Sequence, residues 1–241
     1  MITDKNQRLI IFVKSPIAGK VKTRLAQECS AEQASLYYQA MVACVLEHIA
    51  HYASELNQPL NIHIGYTLSD NNQAIKDWLE PYLSKVNQLH ISYFEQFESS
   101  CLGERIHHAF DHSFAEGYQH VSIIGTDCIS ITPTILHQLF KPNHSMIGPT
   151  YDGGYYALSL QAKHFSNEPE SLNRLFFTIN WSSPSTYQDT LDAAQAIDLE
   201  LQPLPKLHDI DYLEDWERAL KSVQGSLLQD KLSVINRKIH K

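Results

Sequence analysis

The sequence predicts an α/β fold in which mostly parallel strands are joined by helical crossovers. Three observations carry that expectation. Short apolar runs rich in β-branched residues alternate with longer stretches of helical periodicity. The first run, RLIIFV at 8–13, is apolar enough to be a buried central strand. Capping residues stand where the helical stretches begin and end, such as Ser30 with Gln33 and Thr132 with Pro133 at starts, and Gly117 at an end.

Taken in order, strand 8–13 is followed by a long amphipathic helix, marked by Ala34, Tyr37, Tyr38, Met41, Val45, Leu46 and Ile49 at helical spacing behind the Ser30 cap. NIHIGYT at 61–67 reads as a strand, a helix surrounds Ala74 to Leu79, and LHISYF at 89–94 is a third strand. Leu102 to Phe114 is a helix closed by Gly117, the residue that adopts the left-handed cap most easily. HVSIIG at 120–125 is a strand that runs into Thr126, Asp127 and Cys128, and Thr132 with Pro133 opens the next helix. SMIGPT and YYALSL, at 145–150 and 155–160, are strands on either side of Tyr151-Asp152-Gly153-Gly154, where paired glycines signal a sharp turn or a close backbone approach. Ser183-Pro184 opens a helix toward Ala196, and ELQPLPKL at 200–207 is a proline-broken extended segment suited to a sheet edge. Two helices are expected to finish the chain, the last carrying Leu228, Leu232, Ile235 and Ile239 on one face, which is expected to pack against the domain, with a partner helix as the competing reading.

A single domain over residues 1–241 is expected, since no stretch has linker composition. Hydrophobic residues at 43% and charged residues at 19% describe a soluble globular chain with an ample core. The formal charge of -8 argues against general binding to nucleic acid or anionic membranes, which needs a broad excess of Lys and Arg. No run approaches the roughly 20 apolar residues of a membrane span. The apolar run near the start is too short for a signal-peptide core, so a cytoplasmic location is expected. Cys29, Cys44, Cys101 and Cys128 are scattered, without a C-x-x-C pair or zinc-finger spacing, and are expected as reduced thiols.

Against that acidic background, KSPIAGKVKTRL at 14–25 gathers Lys14, Lys20, Lys22 and Arg24 with no acid. A loop after the first strand of a parallel sheet lies at the carboxyl edge, where ligands of such folds bind. The nucleotide P-loop pattern fails here, because Lys14 holds the first glycine position and Val21 stands where Ser or Thr would meet magnesium. No G-x-G-x-x-G is present either. What remains is a loop stiffened by Pro16, turned at Gly19, and carrying cations at alternating positions, which is suited to a di- or triphosphate. A solvated surface loop is the competing reading.

Four acids are candidates for chemistry. Asp127 follows a buried strand at the same edge and has the oxygen chemistry for Mg2+ or Mn2+, or else caps a turn. Asp209 and Asp211 in HDIDY point the same way in extended backbone and so converge on one cation, while Asp211 alternatively caps a helix at Leu213–Leu220. Asp152 either accepts a proton from an attacking hydroxyl or belongs to a plain hairpin turn. Arg105, in LGERI, is a further phosphate or carboxylate contact, or one half of a helix-surface salt bridge.

FVKSPIAGKVKTRL, LGERI, IIGTDC, IGPTYDGGYYAL, INWSS and DIDYLEDW occur in the order and rough spacing of a largely uncharacterised bacterial family assigned as transferases with the glycosyltransferase-A fold. The chain resembles that family from Leu9 to about Trp216. The family is similar to the phospholactate guanylyltransferases and, more distantly, to the molybdenum-cofactor guanylyltransferases. The resemblance implies a Rossmann-like, mostly parallel sheet of the nucleotide-diphospho-sugar transferase type with flanking helices, which binds a nucleotide di- or triphosphate. It also implies a divalent cation, Mg2+ or Mn2+, on Asp127 and on an acid of the D-I-D segment, with Asp211 favoured over Asp209. Lys14, Gly19, Lys22, Thr23 and Arg24 match the family's phosphate loop, and Lys20 sits where either Lys or Arg is accepted. Relatives carry proline after the Asp-Cys pair where this chain has Ile129 and Ser130, and often Thr where it has Tyr212. The missing proline is expected to loosen the turn beyond Asp127.

The leading expectation is a metal-dependent transferase using an activated nucleotide, a nucleotide-sugar, with a small-molecule acceptor. In it Lys22 and Arg24 neutralise the leaving diphosphate and Asp152 orients or deprotonates the acceptor hydroxyl. Nucleotidyl transfer from a nucleoside triphosphate to a phosphorylated acceptor needs the same groups. A nucleotide-binding protein without catalysis is the third reading.

Overall fold

In a computed structural model of the chain, residues 6–67, 69–84, 88–166, 168 and 170–222 are described, and the expected terminal helix bearing Leu228, Leu232, Ile235 and Ile239 lies outside them. The seven strands β1 (Gln7–Phe12), β2 (Leu60–Tyr66), β3 (Leu89–Glu95), β4 (His120–Ile124), β5 (Ser145–Pro149), β6 (Tyr155–Gln161) and β7 (Leu201–Pro203) form one sheet in the order β3-β2-β1-β4-β6-β5-β7. The pairs β1–β2, β2–β3, β1–β4 and β5–β7 are parallel. β6 runs antiparallel to both β4 and β5. The 200–207 segment does lie at an edge, cut to three residues by Pro203 and Pro205.

The helices are α1 (Ala31–Ser54), α2 (Asn72–Leu83), α3 (Leu102–Ala115), α4 (Pro133–Leu139), α5 (Glu170–Phe177), α6 (Thr186–Gln195) and α7 (Leu213–Ser222). Their ends follow local chemistry. At α1 the Ser30 side chain accepts from the Gln33 amide while the Gln33 side chain accepts from the Ser30 amide, which satisfies two otherwise orphaned donors. Past α3, Gly117 sits at φ 94, so that Tyr118 N–H reaches Ser113 O (3.2 Å) and Gly117 N–H reaches Phe114 O (2.9 Å). Thr132 caps α4 and Pro133 fills its first turn. Two expectations need correction. α5 was not anticipated, because its eight residues are too few to establish a helical period. α6 starts at Thr186 rather than at Ser183-Pro184, since Ser182 turns at φ 58 and Ser183 O is taken by the Thr186 amide in a preceding turn.

Alternation along β1 sends Leu9 and Ile11 to the face covered by Val42, Val45, Leu46 and Ile49 of α1. Ile10 faces Ile106 and Phe110 of α3 on the other side. A third cluster positions the site. Leu25 from the basic loop, Tyr37 and Met41 from α1, Ile129 from the segment after β4, and Ile210 with Trp216 from the end of the described chain pack together, each no more than 1% exposed. Tyr37 meets Trp216 edge-on at 4.8 Å. Burying large apolar side chains of this kind contributes about 1.5–3 kcal/mol each. Apolar packing therefore helps to bring these distant parts of the sequence together. Ile129, in the turn beyond Asp127, is part of that buried cluster.

Candidate active site

β1 and β4 are parallel neighbours, so the basic loop and Gly125-Thr126-Asp127 leave the sheet side by side at its carboxyl edge. They line a cleft of about 740 Å3 that also receives Arg105, Asp152, Trp181, Asp209 and Asp211.

The basic loop is pinned along its length. Ser35 of α1 donates to Pro16 O (2.5 Å), the Lys14 amide donates to the Tyr38 hydroxyl (2.9 Å), and the Ser15 amide donates to Asp70 Oδ1 (3.2 Å). Asp70 is itself held by the Thr67 amide and hydroxyl. Gly19 turns at φ 80 with open space where a Cβ would stand. Lys22 is also left-handed, at φ 46, an uncommon state for a residue with a Cβ. That geometry turns its side chain inward, where it is 7% exposed, while Val21 and Leu25 are buried in the core.

Lys22 Nζ lies 2.9 Å from Asp127 Oδ1 and 3.3 Å from Asp211 Oδ1, and Arg24 Nη1 lies 2.5 Å from Asp211 Oδ2. The positive stretch near the start and the negative one near the end thus meet in one pocket. Burial works against the charge on Lys22, but Asp127 and Asp211 outweigh it and its pKa rises above the ordinary lysine value. Arg24 is raised as well, chiefly by its hydrogen bond to Asp211, with an exposed side chain.

Asp209 and Asp211 flank Ile210, whose side chain is buried and whose amide donates to Asp127 O (3.1 Å), so both carboxylates line the cleft. Burial, then Asp152 and also Asp211, push Asp209 up to about 6. The expectation that Asp211 caps the following helix is not met. Asp215 does so, accepting from the Asp211 and Tyr212 amides, and Glu28 accepts from Leu213 N (2.7 Å), leaving the Asp211 carboxylate to the cations.

Asp152 sits on the turn between β5 and β6, and its Oδ1 accepts from Thr150 Oγ1 (2.5 Å) and the Gly154 amide (3.0 Å). The residue does belong to a hairpin turn, and that turn brings its side chain to the lining of the cleft. The turn is shaped by Gly153, at φ 94, where a Cβ would stand 2.0 Å from Pro184 O. The two glycine-bearing motifs are thereby locked to the INWSS segment, for Gly103 of LGERI likewise leaves no room beside Trp181 (2.1 Å from its Nε1).

Arg105 does not form the helix-surface salt bridge held open for it. Its Nη1 donates to Gln96 Oε1 (3.3 Å), its Nε is buried without a hydrogen-bond partner, and no carboxylate pairs with it among the described residues. Burial lowers its pKa. Lys14, Lys20 and Thr23 line the cleft with exposed side chains.

Among the described residues no three His, Cys, Asp or Glu side chains gather into a metal-binding group. Asp127 and Asp211 nevertheless reach a common point, the Lys22 ammonium, and their hard oxygen donors suit Mg2+ or Mn2+. Such ions are ordinarily held by one or two carboxylates together with substrate phosphates, so the pair fits one. All four cysteines are free thiols. No helix among the described residues is long and apolar enough to cross a membrane.

Tyr38, Asp70, Gln96 and Trp181 escaped the sequence reading. Tyr38 was visible only as a core position of α1, and Asp70 and Gln96 stand in strand-to-helix loops whose partners are far along the chain. Trp181 lay within a recognised motif, without a partner to give it a role.

This fold, with its cation-rich loop after β1 and its acid after β4, is that of the nucleotide-diphospho-sugar transferases. The chain belongs to a bacterial family described as "uncharacterized protein conserved in bacteria (DUF2064)", whose model matches residues 56–183. The crystal structure of a "putative nucleotide-diphospho-sugar transferase" from Desulfovibrio desulfuricans G20 matches with a TM-score of 0.77 at 26% identity, over 97% of this chain and 96% of that one. The WbbM bifunctional glycosyltransferase in its apo structure matches at a TM-score of 0.50 and 9% identity, over 85% of this chain and 39% of that one, which shows a shared fold alone. No curated protein matches the sequence.

Proposed function

We propose that this protein is a divalent-cation-dependent transferase that takes a nucleotide-sugar donor and passes its sugar to a small-molecule acceptor. The observation that carries the reading is the convergence of Lys22 and Arg24 on Asp127 and Asp211 in one cleft at the carboxyl edge of the sheet. The likeness to the D. desulfuricans protein supports it.

In this reading Gly19 lets the loop backbone approach the diphosphate, and Lys14, Lys20 and Thr23 contact its oxygens. Lys22 and Arg24 neutralise the charge that grows as the nucleoside diphosphate leaves, an effect strengthened by a partly dry site. Arg105, a half-buried cation without an acid among the described residues, receives a further anionic or carbonyl oxygen of the donor. Asp152 takes the acceptor's hydroxyl proton on Oδ2, since Oδ1 is engaged by Thr150 and Gly154. Asp127 and Asp211 would hold Mg2+ or Mn2+, with Asp209 beside them, and the ion would supply charge stabilisation on the diphosphate.

A thermal-shift screen of nucleotide-sugars and nucleoside triphosphates, with and without Mn2+, tests this. A ligand at about 100 times its Kd adds about 2.7 kcal/mol, which for a chain of this size is a rise of roughly 5–10 °C. Stabilisation by a nucleotide-sugar, with the Mn2+-dependent part lost in Asp127→Ala, is expected. Triphosphate binding with pyrophosphate release would replace the reading with nucleotidyl transfer, and no response to any nucleotide would remove it.

A further inference from the structure

The Lys22 ammonium occupies the place where the two metal-binding candidates converge. It contacts Asp127 Oδ1 and Asp211 Oδ1 at 2.9 and 3.3 Å. Magnesium binds carboxylate oxygens at about 2.0–2.1 Å. An ion placed on this pair of oxygens would therefore stand against Nζ, a charge of its own sign. The lysine is no loosely solvated chain. Its side chain is 7% exposed, its backbone is fixed in the left-handed region at φ 46, and its carbonyl accepts from the Ala26 amide at 2.9 Å. Arg24 differs on each count, with a side chain 64% exposed and a bond to the other oxygen of Asp211, Oδ2. Of these two cations, Lys22 is the one that competes for the Oδ1 atoms.

We infer that Lys22 is a resident counter-cation, which keeps the Asp127–Asp211 pair closed to a divalent ion until a nucleotide's phosphates draw its ammonium away, so that metal and donor enter together. The inference rests on the proposed reading of the cleft as a nucleotide and cation site, and deepens it by assigning an order of binding. The phosphate oxygens supply what the ammonium loses on leaving the carboxylates, and the incoming ion supplies what the carboxylates lose. Nucleotide and metal then bind with positive coupling, each raising the other's affinity by the same factor. Without the ammonium, the carboxylate pair would be left with an uncompensated charge and would recruit a cation on its own.

The experiment is Mn2+ binding to the nucleotide-free full chain, followed by electron paramagnetic resonance, for wild type, Lys22→Met and Lys22→Arg. Lys22→Met is expected to bind Mn2+ about tenfold or more tightly than wild type, within the usual range of coupling between sites, whereas Lys22→Arg stays near wild type. Equal Mn2+ affinity in wild type and Lys22→Met overturns the inference. If Lys22→Met does not fold, the side-chain 15N signal of Lys22 in the wild type decides. It should remain unmoved by Mg2+ alone and shift when Mg2+ is added with UDP or GDP. Displacement by Mg2+ alone overturns the proposal. Because the Mn2+ comparison uses no nucleotide, it stands whether or not the thermal-shift screen finds one.

Discussion

Replacing Gly153 by Ala probes the turn that presents Asp152, and the structure supplies its own control. Gly153 and Gly19 both occupy positive φ, at 94 and 80. An L side chain there costs about 1–2 kcal/mol from backbone strain alone. At Gly19 a Cβ meets nothing within 4 Å, so Gly19→Ala should cost that strain and no more. At Gly153 the Cβ would stand 2.0 Å from Pro184 O and 2.6 Å from its carbonyl carbon, both backbone atoms that cannot rotate away. Forcing the segments apart adds about 1–3 kcal/mol of overpacking, for a total of about 2–5 kcal/mol. It would also weaken the bond from Tyr187 N–H to Gly153 O, 2.9 Å long, which ties the turn to α6. Equilibrium urea unfolding of the two variants beside wild type measures the difference directly. A Gly153→Ala protein no less stable than Gly19→Ala would refute the claim that YDGG is locked against the INWSSP segment, and with it the positioning of Asp152.

Two further outcomes follow from buried groups. Burial lowers the pKa of both His63 and His120 to about 4, below the ordinary 6.5, so the unfolded chain takes up protons first as pH falls. Stability is full above about pH 6.5 and declines from there through pH 4, with His120 contributing a loss of about 1–2 kcal/mol at pH 5 relative to pH 7. Urea unfolding at both pH values should show a shallower decline in His120→Gln, and an unchanged slope would exclude this histidine as a source. Arg105→Gln should weaken the binding of the stabilising nucleotide by about tenfold, the worth of one charge-assisted hydrogen bond, with little change in the ligand-free melting temperature because Arg105 pairs with no acid among the described residues. A calorimetric titration reads the affinity, and equal affinity would place the ligand's phosphates elsewhere in the cleft.

The order of strands and helices was legible because each rests on local rules: the capping box at Ser30, the Thr132-Pro133 start and the Gly117 stop were present in the sequence and appear in the fold. The short helix α5 was not, since eight residues carry too little period to stand out. The cleft was partly legible. Lys22, Arg24 and Asp127 could be picked out by type and by their place after strands, whereas Asp211 was favoured over Asp209 only by the family resemblance. Asp70, Tyr38 and Gln96, which brace the loop and Arg105, could not, because their partners lie 55, 24 and 9 residues away. The cap of α7 was misplaced, for Asp211 stands just before the helix by spacing, yet its carboxylate goes to Lys22 and Arg24 while Asp215 accepts the amides at the helix start.

By itself the sequence determined the secondary elements other than α5, the mostly parallel α/β plan and the residue types available for chemistry, since periodicity, capping and turn preferences act over a few neighbouring positions. The tertiary structure alone decided that the Lys22 ammonium stands between Asp127 and Asp211, and that Arg105 is left without an acid among the described residues. The physical reason is burial: Leu25, Ile129, Ile210 and Trp216 leave water together, and in doing so carry charges from distant parts of the chain into one cleft.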